Sequence, residues 1–247
     1  MKKIISVTFL LAALISFESC LSIKVTSKKK AAASKVAEKP DPKPKNGDIK
    51  PYDKVITKEA KSDDGLFKVH EIDDTFFYEI PDTLFDKEML MVTRISKTAS
   101  GVGFGGGKQN TQVLRWQKKG KKVVLRVVSY EVFAADSLPV HEAVVNSNFE
   151  PVLYTFPIKA FSIDSTATVI EVTDLFNKDV KALGLPASSR KRYKVTSLES
   201  EKSFIESVKS YPKNIEARHV KTYAASEAPS NSSTGTISIE INNSMIL

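Results

Sequence analysis

TQVLRWQKKGKKVVLRVVSYEVF, residues 111–133, holds two apolar runs separated by a lysine-rich turn with a single glycine, Gly120. β-Branched and aromatic residues on both sides predict strands, and the glycine between them suits a tight hairpin turn. The second run predicts a long strand from Val123 to Phe133. Working outward, EMLMVTRI at residues 88–95 is apolar nearly throughout and predicts a strand buried on both faces. LFKVHEI (66–72) and TFFYEI (75–80) flank Asp73-Asp74 and predict another hairpin. Downstream, strands are predicted over 152–163 despite Pro157, over 168–172, over 215–224 and over 236–242. In the last of these Ile237, Ile239 and Ile241 alternate with Ser238, Glu240 and Asn242.

Three stretches carry helical signals. Residues 141–148 follow Pro139, residues 175–183 sit between the N-cap pair Thr173-Asp174 and the stop Gly184, and residues 200–209 space Phe204, Ile205 and Val208 before Pro212. The fold class is therefore α+β and mainly β: an antiparallel sheet or sandwich of hairpins with two or three short helices.

The N-terminus gives an address. Lys2 and Lys3 precede an apolar run over residues 4–17, which ends in Glu18-Ser19 and then Cys20, the only cysteine of the 247 residues. This pattern predicts export. The run is shorter than the roughly 20 residues needed to span a bilayer, and a cysteine at its end can carry lipid. Cys20 is the predicted lipidation site, with residues 1–20 as a lipoprotein signal peptide and an outer-membrane, periplasm-facing location in the cell envelope; the alternative is a periplasmic or secreted protein with an ordinary cleaved signal peptide. Phe17 and Glu18 depart from the aliphatic and small residues usual before such a cysteine.

Formal charge is +8, but its distribution argues against nucleic acid as a partner. Twelve lysines against five acids lie between residues 24 and 61, the signal region adds one more positive charge, and residues 62–247 sum to zero. A Lys-, Pro- and Ala-rich stretch with few large apolar residues cannot bury a core, so residues 21–50 read as a flexible tether. Residues 51–98 then form an N-terminal β-hairpin region and residues 99–247 a β-rich domain.

No catalytic, cofactor-binding or metal-binding residue emerges. Gly101-x-Gly103-x-x-Gly106 fits a dinucleotide fingerprint in spacing but leads into a strand, where a phosphate site needs a helix N-terminus. His141-Glu142 begins a zinc motif whose second histidine position holds Val145, and neither His70 nor His219 is paired at ligand spacing. Asp63-Asp64 and Asp73-Asp74 sit where turns favour aspartate. Ser188-Ser189-Arg190-Lys191-Arg192 reads as a solvated basic loop, and Phe76-Phe77-Tyr78 as core packing.

Three long strings carry a resemblance: KPYDKVITKEAKSDDGLFKVHEIDDTFFYEIPDTLFDKEMLMVTRI (50–95), ALGLPASSRKRYKV (182–195), and YPKNIEARHVKTYAA with the segment after it (211–247). Together they resemble the N-terminal region of the large zinc-dependent metalloproteases of Bacteroidetes, in which two domains of unknown function precede the peptidase domain. The resemblance implies a non-catalytic chain that supports or shapes the cleft of a peptidase domain lying downstream. Zinc and its His-Glu-x-x-His motif are expected only there, and the membrane, through the lipid, is the other expected partner. Met245-Ile246-Leu247 ends an alternating strand without a polar cap, which fits a chain truncated before that domain. The alternative expectation is a stand-alone envelope lipoprotein that binds a peptide or glycan through the 101–107 loop and nearby aromatics.

Overall fold

The computed structural model describes residues 49–229 and 234–247. Cys20, the signal run and most of the tether lie outside the described residues. Strands β1 (Lys61–Asp63), β2 (Lys68–Ile72), β3 (Thr75–Pro81), β4 (Glu88–Thr98), β5 (Lys108–Lys119), β6 (Lys122–Val128), β7 (Val152–Phe161), β8 (Ala167–Glu171), β9 (Val195–Leu198), β10 (Phe204–Tyr211), β11 (Asn214–Ala225) and β12 (Thr236–Ile246) join three short helices. The helices are α1 (His141–Ser147), α2 (Thr173–Asn177) and α3 (Ala187–Arg192). The expected α+β, mainly β class is what the chain adopts.

One sheet holds all twelve strands, in the order β1-β2-β3-β8-β7-β6-β5-β4-β12-β11-β10, with β9 pairing β11 off the path. Every pairing is antiparallel. The hairpin turns are as expected: Asp73 and Asp74 both take positive φ between β2 and β3, and Gly120 does so between β5 and β6. The sheet curls until its two ends meet. Leu66 donates its N–H to the Tyr211 carbonyl at 2.7 Å, and Ser210 Oγ donates to the Phe67 carbonyl at 2.6 Å. Gly65 makes this seam possible, since a Cβ there would stand 2.7 Å from the Tyr211 backbone nitrogen and oxygen. Gly65→Ala should open the seam and cost about 2 kcal/mol, within the range of overpacked cores. Urea unfolding measures it, and a loss below about 0.5 kcal/mol would mean that the seam bears little stability.

Inside the curl, alternate residues of the strands form the main core around Trp116, with Phe67, Tyr78, Met89, Leu114, Leu125, Phe156 and Ile170. Ile237, Ile239 and Ile241 join Tyr193 and Tyr223 in a second cluster, while Phe77 packs with Ile56, Ala160 and Val169 in a third. Thus Phe76, Phe77 and Tyr78 are all buried, on two faces of β3.

Several expectations are corrected. β4 is buried on one face only: Met89, Met91, Thr93 and Ile95 point inward while Glu88, Leu90 and Arg94 are exposed. Residues 129–133 do not extend β6, because the chain leaves the sheet after Val128 and returns at Val152. The expected helix over 200–209 is a short 3-10 turn (Ser200–Lys202) followed by β10, whose ladder with β11 overrides a three-residue helical spacing. The expected helix over 175–183 stops at Asn177, and Thr173 spends its hydroxyl on the Phe76 N–H (2.9 Å) instead of capping a helix. Ser188–Arg192 is helical rather than loop. The last strand is not a bare end: Ile246 is paired with Asn214 on one side and Leu90 on the other.

Candidate interaction surface

The excursion between β6 and β7, residues 129–151, lies as an arm over the outward face of β4, β5 and β6. Polar residues alternate outward on these strands because their apolar neighbours fill the core. Arg115 donates through Nη2 to Glu88 Oε1 and through Nη1 to Glu150 Oε1, both at 2.7 Å. Arg126 donates through Nε to Gln117 Oε1 at 2.8 Å and through Nη1 to the Glu150 carbonyl at 2.7 Å. The Tyr130 hydroxyl donates to Glu88 Oε2. That hydrogen bond, with help from Arg115, holds the Glu88 carboxyl below its ordinary range, and the same bond raises the Tyr130 phenol.

Between arm and sheet runs a cleft of about 430 Å³. Its floor is charged, with Glu88, Arg115, Arg126 and Glu150; its walls are largely apolar, with Val132, Phe133, Val144 and Phe149, interrupted by the polar side chains of Ser129, His141 and Asn148. Phe133 and Phe149 are 69% and 77% exposed, and Tyr130, Val132 and Val145 are also exposed. The Phe149 ring lies 4.5 Å from the Arg126 guanidinium carbon. Apolar surface continues along β4 and β12, where the cross-strand partners Leu90 and Ile246 are both exposed, two residues from Glu88 on the same face.

Two polar networks lie elsewhere. Near the N-terminal edge, Ser62 Oγ meets His70 Nδ1 at 2.7 Å, His70 Nε2 meets Glu79 Oε2 at 3.0 Å, and Tyr52 donates to the same oxygen at 2.7 Å. Burial raises the Glu79 carboxyl, but the bonds from His70 and Tyr52 outweigh it and keep the group ionised. The ionised carboxylate can only accept, so it takes the N–H of His70 Nε2 while Nδ1 faces the Ser62 hydroxyl. This line of hydroxyl, imidazole and carboxylate ties β1 and the Tyr52–Lys54 turn to β2 and β3.

A second network crosses the interior. His219 Nε2 donates to Asn243 Oδ1 at 2.7 Å, and Asn243 Nδ2 donates to Thr93 Oγ1 at 2.7 Å, linking β11, β12 and β4. Burial, then the charge of Lys221, lowers the His219 imidazole to about 3. Lys221 is itself buried and donates to the Lys178 carbonyl at 2.7 Å, its ammonium lowered by burial to about 8. Arg190 on α3 spans Asp179 and the Leu185 carbonyl and approaches the Tyr223 hydroxyl at 3.3 Å. Arg190→Lys keeps the charge but loses the forked geometry, so it should cost about 2 kcal/mol, read as a lower thermal midpoint. An unchanged midpoint would show that one charge alone suffices there.

The structure leaves the three histidines apart, and among the described residues no group of three or more His, Cys, Asp or Glu side chains could hold a metal ion. The 101–107 segment joins β4 to β5 as a loop. Gly105 is pressed against the Ser96 carbonyl, and Phe104 is almost fully exposed. None of its residues lines the cleft. Of the cleft residues, His141 and Val145 stand out in the sequence only as an incomplete zinc motif on an expected helix, and residues 130–133 only as expected strand; neither pattern marks a cleft.

The profile of a domain of unknown function, DUF5117, matches residues 106–247, more than half of the chain. The chain belongs to the DUF5117 family. A second domain of unknown function, DUF5118, matches residues 49–98. DUF5118 covers β1 to β4 and DUF5117 covers β5 to β12, yet β4 is flanked by β5 and β12, so both matched regions build one sheet. No curated protein and no solved structure matches the chain.

Proposed function

We propose that this DUF5117 chain is the non-catalytic N-terminal portion of an exported zinc-metalloprotease-like protein of the Bacteroidetes type, and that it supports and shapes the cleft of a peptidase domain following residue 247. In this reading lipid on Cys20 anchors it to the outer membrane, facing the periplasm, and residues 21–50 are the tether. Zinc belongs to the following domain, and this chain contributes surface. The arm carries the reading. Five apolar side chains exposed around one cleft form the kind of patch that soluble surfaces keep for a partner.

The purified chain should cleave no protein substrate, with or without added zinc. Chelator-sensitive proteolysis by this chain alone would overturn the non-catalytic reading. A Phe133→Ser, Phe149→Ser double variant should weaken association with the following domain at least about tenfold, since exposed aromatic anchors carry a large share of interface energy. Isothermal titration reads this, with circular dichroism confirming the fold.

The cleft also favours a second reading, a stand-alone envelope lipoprotein module for a peptide or glycan. A soluble monomer that binds such a ligand supports that reading; insolubility relieved by co-expressing the following domain supports the mount.

A further inference from the structure

We infer that the cleft under the arm recognises a polypeptide segment in which a carboxylate lies next to a large apolar side chain, with Arg126 receiving the carboxylate. This rests on the reading of the arm as a docking surface and adds the chemistry of what docks. Among the described residues the two guanidinium groups of the floor differ. Arg115 is neutralised by Glu88 and Glu150, whereas Arg126 forms no ion pair and bonds only to neutral acceptors, Gln117 Oε1 and the Glu150 carbonyl. Among the described residues its Nη2 has no acceptor.

Phe149 lies against the Arg126 guanidinium (4.5 Å) and turns its charge into a site bordered by an apolar ring. Around it stand Val128, Val144 and Val145, which offer no hydrogen-bonding side chain. With Glu88 and Glu150 already paired to Arg115, Arg126 is the cation of the floor left without a carboxylate, and in largely apolar surroundings a purely apolar ligand leaves it unsatisfied. It is matched by a carboxylate carried beside an aromatic or aliphatic side chain, because a charge-assisted bond from Nη2 forms while the apolar group fills the cleft. Amphipathic recognition of this kind fixes register as well as affinity.

The test titrates the full chain with two blocked tripeptides, acetyl-Leu-Phe-Glu-amide and its Gln counterpart, and follows backbone amide and arginine Nε resonances. The glutamate peptide should shift Arg126, Val128, Val144 and Phe149 and bind about tenfold more tightly than the glutamine peptide, the worth of one charge-assisted hydrogen bond. Arg126→Gln should abolish that preference, so that the two peptides bind the variant with equal affinity. If that variant fails to fold, the wild-type preference should still shrink in 1 M salt, where the screening length is about 3 Å. Equal binding of the two peptides, or shifts confined to other surfaces, overturns the inference. Equal binding together with intact docking of the following domain would refute only the carboxylate; failed docking with a retained preference would refute only the mount.

Discussion

Trp116→Ala should destabilise the chain by about 4 kcal/mol, the largest single loss expected in the main core. The indole is 1% exposed and touches three other rings: Phe67 at 6.0 Å, Tyr78 at 6.2 Å and Phe156 at 5.5 Å between centroids. Those rings come from β3, β7 and the segment just before β2, so removing the indole leaves a cavity bounded by elements far apart in sequence. Tyr78 and Phe156 cannot move in without disturbing their ladders, nor Phe67 without straining the bond that its carbonyl accepts from Ser210. For a folded region of this size the loss corresponds to a fall of roughly 10 °C in the thermal midpoint. Urea unfolding with an unchanged m value is the direct check. A loss under about 1 kcal/mol would show that the sheet does not close around this side chain.

Acid should destabilise the chain through His219 before most carboxylates begin to titrate. Its folded value is depressed to about 3, against 6.5 for the free group, because the imidazole is buried and lies near the Lys221 ammonium. The stabilising contribution is therefore complete above pH 6.5 and is lost as the pH falls toward 3, since the unfolded chain takes up a proton that the folded chain refuses. By pH 5 the loss is about 2 kcal/mol. His219→Gln has no proton to take up, so its stability should be nearly flat over the same interval. A wild-type profile equally flat between pH 6.5 and 5 would mean that His219 is solvated or protonated in the fold.

Strand content was legible where composition and turn chemistry agreed, as at Asp73-Asp74, at Gly120 and in the isoleucine alternation of β12. Closure of the sheet was not. It depends on Gly65 meeting Tyr211 across 146 residues, and local sequence carries no mark of such a contact. The 204–211 segment misled because its helical spacing was brief, while the pairing that decides its state lies on β11. At the cleft, Arg115 and Arg126 are ordinary outward strand residues until the arm folds over them. Phe133 and Phe149 differ from core aromatics only in what covers them.

Residue-level footprinting of the arm tests the central claim most directly. Carbene labelling of Tyr130, Phe133 and Phe149 would be compared between this chain and a product that continues into the following domain. If the chain is a mount, labelling of the two phenylalanines should fall at least about fivefold in the longer product while Phe104, on the 101–107 loop, stays as reactive as before; the margin reflects the near-complete burial of interface anchors. Equal labelling of the arm in both proteins would contradict the account.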